Sequence, residues 1–514
     1  MFSPSTVPLR HQIVYIDTNC IFQCNRIADT KSFLYNRLNF YNSPIRATWK
    51  GGFTLIIRHG RPNHIIESNT FIHNQSVQWS EQNGIDSALF QQYPFVKRGL
   101  RNANGTGVVV GLTRVGDVEG YRITPFGEKV PTEGKLYYRG INVEDLVNNC
   151  LAEDRFGYEE TSYLLLFGHL PSKAELEAYT KLLGKKRKLP EGFARDMILT
   201  APSKNIMNKL ARSVLALYSY DDNPDDTSLE NVIRQSIDLI GYFPALIAYG
   251  YQAQQSHFYN KSLHLHQPDP AKSTAENILR LLRPTGEYTE LEAKLLDISL
   301  IIHAEHGAGN NSSFTTHLVS STGTDTYSAI AAAVGSLKGP KHGGANSAVP
   351  DMMEDMRRNV LDLSDYSQVQ DYLVKVLRKE ANDKTGLIYG LGHAVYTYSD
   401  PRAKLLKNMA RRLAEEQDLM EEFQLYSYIE EVGPELFKEV HKTDKPICAN
   451  VDLYSAFVYK ALNIPLDVAT PLFATARISG WCAHRIEELS NSKIMRPAYQ
   501  TVQTLRDYVP LNDR

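Results

Sequence analysis

From about residue 85 to the C-terminus, apolar side chains recur at three- and four-residue spacing, the pattern of helices that bury one face. The stretches opening at Val143 and Tyr158 show it, as do 205–219, 228–252, 274–283, 289–306 and 326–338. Ser172 followed by Glu175 predicts a capping box at the start of another helix. Strand-like runs are few, at 53–57, 107–112 and 120–124. They do not alternate with helices, and no Gly-rich loop follows one, which disfavours a doubly wound nucleotide-binding sheet. Turn residues at 340–346 and 460–471 predict the entry to and exit from an inserted domain. The expected architecture is mainly α in two domains.

The first 80 residues depart from this pattern. They hold eight Lys/Arg and three Asp/Glu, against 48 and 55 in the remainder, and show no sustained period. Residues 1–84 are therefore expected to be an extension, weakly ordered or outside the functional protein; a basic, acid-poor leader also suits a transit peptide. Over all 514 residues the chain is 42% hydrophobic and 22% charged, enough to bury a substantial core. A net charge of −2 gives no reason to expect nucleic acid or an anionic membrane as partner. No apolar run reaches the ~20 residues of a membrane helix, and the first residues lack a charged start followed by an apolar core, so a secretory signal is not expected. The five scattered cysteines argue against a disulfide framework. Cys20 and Cys24 could pair or share a metal but lack a second Cys/His pair, so free thiols and a cytoplasmic location are expected.

Chemistry-bearing residues collect in the last third. His342 lies in Gly339-Pro340-Lys341-His342-Gly343-Gly344-Ala345-Asn346, at a corner after a small-residue helix stopped by Gly339 and Pro340. A histidine there could be a neutral donor to a developing enolate, or could simply pack a turn. His393 follows the turn Gly390-Leu391-Gly392, and Asp400-Pro401 announces a helix with Arg402 in its first turn. An arginine at a helix N-terminus makes an anion site, unless it pairs with Asp400. Asp452 begins a third helix, as a cap or as a base within reach of an acidified C–H. Arg477 and Arg496 sit among apolar residues, where a dicarboxylate would satisfy them bidentately; surface snorkelling is the alternative. His303 and His306, three apart on one expected helix face, could be half a metal site.

Taken together, these ordered motifs resemble the citrate synthase family over residues from about 85 to 514. They are His303-Ala-Glu-His306, the His342 corner, Gly390-Leu-Gly-His393 with Asp400-Pro-Arg402, Asn450-Val-Asp452-Leu-Tyr-Ser and Arg496-Pro-Ala-Tyr499, with Leu136–Ile141 resembling the family's N-terminal part. The resemblance implies a helical homodimer with a large helical domain over 85–343 and 464–514, a small helical domain inserted over 344–463, and an active site between the two. It implies condensation of oxaloacetate with acetyl-CoA and hydrolysis of the citryl thioester, with no cofactor and no metal. Asp452 would remove the methyl proton, His342 stabilise the enolate oxygen and His393 polarise the ketone. His303, Arg402, Arg477 and Arg496 would hold carboxylates, Arg496 from the other subunit. Leu391 and Gly392 would lie near the coenzyme, and Leu391 departs from the aromatic more often found there. The near alternative is 2-methylcitrate synthase, which takes propionyl-CoA; a metal-dependent hydrolase built on His303, His306 and His342 is the distant one.

Overall fold

The computed structural model describes residues 45–48, 54–57 and 62–514 apart from position 492. Cys20, Cys24 and most of what was expected of residues 1–61 lie outside the described residues. The chain divides into two units, residues 1–98 and 99–514. In the first, Ile45–Thr48 and Thr54–Ile57 pair antiparallel, so the run expected at 53–57 does find a partner. The helix Pro62–Asn83 was not expected. Phe71, Ile72, Val77 and Trp79 are all exposed on it, so no buried stripe marks it as helical.

The second unit opens with a hairpin, Gly116–Ile123 paired to Lys129–Tyr138, with a register shift between Glu119 and Tyr121. The run at 107–112 makes only an isolated bridge, Arg101 to Gly107, and Val109 and Leu112 stay exposed. β-Branched residues without a paired edge do not make a strand. A short third strand, Ile141–Asn142, pairs antiparallel with the end of Lys129–Tyr138, and the described residues after it are helix and loop apart from an isolated bridge between Leu391 and Ala449, as the apolar period predicts. The Ser172–Glu175 capping box forms, and so do two more, Ser273–Glu276 and Thr289–Glu292. Each satisfies two N–H groups that the first helical turn cannot pair internally.

The helix Leu466–Glu488 is the spine of the core. It packs against Tyr158–Phe167, Leu229–Tyr259, Glu290–His303, Asn311–Ser320 and Thr326–Lys338. Trp481 at its centre is fully buried, and truncating such a residue costs about 3–5 kcal/mol. Three boundaries differ from expectation. Leu229–Tyr259 runs past 252 and takes in His257. Leu466 already starts a helix, so the turn expected at 460–471 is shorter. Glu290–His303 stops at His303, so His306 lies beyond the helix and does not share its face. None of the described helices is long and apolar enough to cross a membrane.

Candidate active site

Three distant segments are laced together by hydrogen bonds around Asp400. Gly390 and Gly392 adopt φ of 88° and 85°, a region that L side chains resist, and this curls the chain toward 448–450. Gly392 N–H donates to Cys448 O (2.8 Å), Asn450 N–H to Gly390 O (2.9 Å) and Asn450 Nδ2 to Gly392 O (2.8 Å). Asn450 also caps the helix Val451–Ala461, its Oδ1 accepting the Asp452 N–H at 3.0 Å. Asp452 is thus in the first turn and is not the cap. Its carboxyl is pushed up to about 6, by burial first, with Arg402 opposing and Asp400 reinforcing the shift. Asp400 accepts Val451 N–H (3.2 Å) and grips Arg402 through Nε (3.0 Å) and Nη2 (2.7 Å). The pairing weighed from the sequence is therefore present, and it uses one edge of the guanidinium, leaving Nη1 for a ligand.

His393 has its tautomer set by the backbone. Its Nδ1 accepts the N–H groups of Val395 and Tyr396, both at 3.1 Å, so a neutral ring carries its proton on Nε2. Burial, aided by the charge of Arg402, holds it down at about 4, so the ring is neutral near pH 7. It stacks on Tyr396 (4.7 Å) and meets His306 edge-on at 5.2 Å. The hairpin buttresses this loop. Gly134 N–H donates to Ser399 Oγ (3.1 Å), Ser399 bonds Glu133, and a Cβ on Gly134 would overlap the Ser399 carbonyl oxygen. Gly134→Ala is therefore expected to cost about 1–3 kcal/mol of stability and to lower turnover by displacing His393. Urea midpoints and kcat measured together check this; an alanine variant unchanged in both would show the hairpin to be irrelevant to the loop.

His342 follows the helix Thr326–Lys338, which Gly339 ends as expected. Its Nε2 is 3.0 Å from Ser312 Oγ, which also accepts the indole N–H of Trp481 (3.1 Å) and lies 2.9 Å from Asn310 Oδ1. The hydroxyl has one proton. Asn310 Oδ1 and His342 Nε2 compete for it, and when it turns to His342 Nε2 the ring carries its own proton on Nδ1. Burial and then Arg477 hold His342 at about 4, so it too is a neutral donor. A Cβ on Gly343 or Gly344 would collide with the carbonyl oxygen of Leu337 or Pro340, which explains the paired glycines.

The last group is conspicuous for what it lacks. Arg477 is fully buried; its Nε donates to His303 O (2.6 Å), yet Nη1 and Nη2 have no partner. Burial lowers it to about 10, against the pull of Glu305, so it remains a cation. His303 Nδ1 bonds Ser299 O (2.6 Å), and the Nε2 atoms of buried His303 and His306 are both unpartnered. Burial and then Arg402 push His303 down to about 3, and the same causes hold His306 well below its usual range. An unpaired buried guanidinium beside neutral imidazoles is costly and calls for an anionic ligand.

A family model for the C-terminal domain of citrate synthase matches residues 103–498. The chain belongs to the citrate synthase family. It is 31% identical over 427 residues to a citrate synthase of Haloferax volcanii, covering 82% of this chain and 99% of that one. It is 32% identical over 398 residues to 2-methylcitrate synthase 1 of Corynebacterium glutamicum, covering 76% and 95%. Among solved structures, Pyrobaculum aerophilum citrate synthase superposes with a TM-score of 0.67 at 28% identity, over 82% of this chain and 95% of that one. The Thermoplasma acidophilum enzyme, solved with carboxymethyl coenzyme A and oxaloacetate, gives 0.66 at 26% identity, over 82% and 99%. The expected helical family fold and acyl-transfer class are borne out.

For a member of the citrate synthase family, the sequence named most of the groups that meet here and missed three. Asp452, His393 and Arg402 are joined through Asp400 and Asn450, while His303, Arg402 and Arg477 are neighbours by charge. Arg496 is exposed and is not drawn to the cluster within one chain. Leu391 is half-buried, bridged by its backbone to Ala449. The missed groups are Ser312, Trp481 and His306. The first two act on His342 from about 30 and 139 residues away in the chain, beyond any local pattern. His306 was weighed only as half a metal site. Among the described residues, the group with metal-ligand spacing is His317, His484 and Glu487, and it includes none of His303, His306 or His342.

Proposed function

We propose that this chain is a citrate synthase: it condenses acetyl-CoA with oxaloacetate and hydrolyses the resulting citryl thioester to citrate and CoA. The observation that carries the reading is the buried Arg477 with both Nη atoms unpaired beside the bare Nε2 atoms of His303 and His306. A small dicarboxylate pairs with both Nη atoms, and its negative charge favours a proton on His303 Nε2, whose ring already donates to Ser299 O from Nδ1. Arg402, through the guanidinium edge that Asp400 leaves open, takes the second carboxylate. His393 Nε2–H donates to the ketone oxygen and draws charge from the carbon to be attacked.

Asp452 then removes a methyl proton from the acetyl thioester while His342 Nδ1–H donates to the thioester oxygen. A carboxylate alone is too weak a base for such a proton, so the enol or enolate must be stabilised as it forms. The nucleophilic carbon attacks the ketone, whose oxygen is protonated from the His393 side. Water then cleaves the C–S bond, releasing citrate and the thiol. No cofactor is required. The coenzyme would lie along 387–393, with Leu391 and Gly392 against it.

In this reading residues 344–463 form the small domain, inserted in a large domain of 85–343 and 464–514, and its closure keeps water from the condensation. The working unit is a homodimer. In the segment after Glu488, Ile494, Tyr499, Leu505, Tyr508 and Leu511 are exposed on their own chain, as suits an arm laid on a second copy. Arg496 would then complete the partner's carboxylate clamp. Buried free thiols at Cys150, Cys448 and Cys482 suit a reducing, cytoplasmic setting.

The second reading, 2-methylcitrate synthase, has support from the Corynebacterium glutamicum relative at essentially equal identity. One methylene is worth only about 1–3 kcal/mol of discrimination. Thiol release from acetyl-CoA and propionyl-CoA, each with oxaloacetate, decides between them. The expected result is a higher kcat/KM for acetyl-CoA; a preference for propionyl-CoA selects the alternative, and no turnover with either removes both.

A further inference from the structure

Behind the site lie five buried or half-buried titratable groups that the mechanism above does not use: Glu305, His317, His484, Glu487 and Glu488. They form a chain. Glu488 Oε2 is 2.7 Å from His317 Nδ1, His317 Nε2 is 3.0 Å from His484 Nδ1, and His484 Nε2 is 3.0 Å from Glu305 Oε1. Glu487 flanks it, 3.9 Å from His484 Nδ1 and held by the Arg114 N–H at 2.7 Å.

The protons can be counted. Two of the contacts are hydrogen bonds, and the third, between His484 Nε2 and Glu305 Oε1, is an ion-pair contact of 3.0 Å between atoms with no other partner, which only an N–H makes favourable; with ionised carboxylates the two rings supply all three protons. One ring is therefore neutral and the other doubly protonated. A cationic His317 with Nε2–H toward His484 would leave His484 its own proton on Nε2, facing Glu305, so either ring can hold the single positive charge with every contact met. Two carboxylates, Glu305 at 3.0 Å and Glu487 at 3.9 Å, lie against His484 and one, Glu488, lies against His317, which places the charge on His484 and leaves a neutral His317 with Nδ1–H toward Glu488. Burial opposes a charge on His484, but Glu305 outweighs it and raises the ring to about 9. Burial and then the His484 charge keep His317 low.

Glu305 occupies a critical place. It is adjacent to His306 in the chain, and it is clamped. A Cβ on Gly480 would fall 2.5 Å from its Oε2 and one on Gly116 2.8 Å from its Cγ, while the Tyr138 hydroxyl holds its backbone oxygen at 3.2 Å. Arg477, whose two Nη atoms are bare, is close enough for the two charges to interact. A buried carboxylate without a counter-charge would claim that guanidinium for itself.

We propose that His484 is a positioning residue: as an imidazolium it neutralises Glu305, so that Arg477 stays free to take a substrate carboxylate. The inference rests on the reading of Arg477 as a carboxylate ligand. His484→Gln, which removes the charge, is expected to raise the oxaloacetate KM roughly 10–100-fold while kcat at saturation changes by less than about threefold. Glu305→Gln removes the competitor and should leave that KM near wild type. The pair His484→Gln/Glu305→Gln should recover it, whereas a merely structural role predicts a double variant worse than either single one. A double variant as weak as His484→Gln, or a His484→Gln variant with unchanged KM, overturns the proposal. If His484→Gln does not fold, the double variant with its two neutral amides carries the comparison against wild type. The protonation is read without substrate from nitrogen-15 histidine spectra: one imidazole should stay doubly protonated at about pH 8 and vanish in His484→Gln. Failure of wild type to bind oxaloacetate would sink the reading of Arg477; a wild type that binds but lacks the cationic ring would sink only this inference.

Discussion

Asp452→Asn is expected to reduce condensation by about a thousandfold or more, with oxaloacetate affinity nearly unchanged. The asparagine keeps the shape and its place in the first turn of Val451–Ala461, and Asn450 still caps that helix. What disappears is the lone pair that takes the methyl proton. Oxaloacetate binding depends on other groups, so calorimetry should report a similar Kd while turnover collapses. Near-normal turnover would remove Asp452 from the role of base. The pH profile gives an independent reading. Because the Asp452 carboxyl is raised to about 6, the wild-type kcat/KM should climb as pH rises through that value and flatten above it. Stability runs the other way. A carboxyl raised in the folded state stabilises it fully below the unfolded value of about 3.9, and that contribution is lost as pH rises through the folded value. Above pH ~6 the ionised Asp452 is a burden on folding, so the asparagine variant should be the more stable by order of 1 kcal/mol. Loss of activity with gained stability separates a functional group from a structural one.

Local physics made part of this protein legible without coordinates. Ser172 with Glu175 caps a helix because both partners lie within one turn, and Asp400 with Pro401 starts another for the same reason. The glycines at 343–344 and 390–392 signalled close backbone approach; the structure shows it at Gly343, Gly344 and Gly390, while Gly392 meets nothing and is set by its φ of 85°. Other features depend on partners that no window of sequence contains. The strand Lys129–Tyr138 contains Pro131 and Gly134, poor strand residues, and exists because it pairs with Gly116–Ile123 and presses on the loop at Ser399. The reverse holds at 107–112, a good strand sequence with no paired edge. His306 escaped because its helix ends at His303, which turns it from a helical neighbour into a ring against His393. Ser312 and Trp481 carried no local signal of a role; that Ser312 sits against His342 Nε2 and takes the Trp481 indole N–H is a fact of packing.

The second large effect concerns Arg477, where two opposing costs can be measured in one variant. With no ligand, its Nη1 and Nη2 lie buried and unsatisfied, a penalty the folded chain carries at rest. Oxaloacetate should relieve that penalty and raise the unfolding temperature markedly, since it binds the native state alone. Arg477→Met keeps most of the length and the apolar contact with Phe473, over which the guanidinium now lies at 4.6 Å, but carries no charge. It gives up one hydrogen bond, from Nε to His303 O, and sheds a desolvated cation. We expect its ligand-free melting temperature to match or exceed that of wild type and the shift with oxaloacetate to disappear. Its oxaloacetate KM should rise at least about 100-fold, the value of two charge-assisted hydrogen bonds lost at a buried site. Arg477→Lys should fall between, because an ammonium restores the charge without the two-pronged geometry. An Arg477→Met protein that still gains stability from oxaloacetate would mean that the keto-diacid is bound elsewhere, and the assignment of the whole pocket would fall with it.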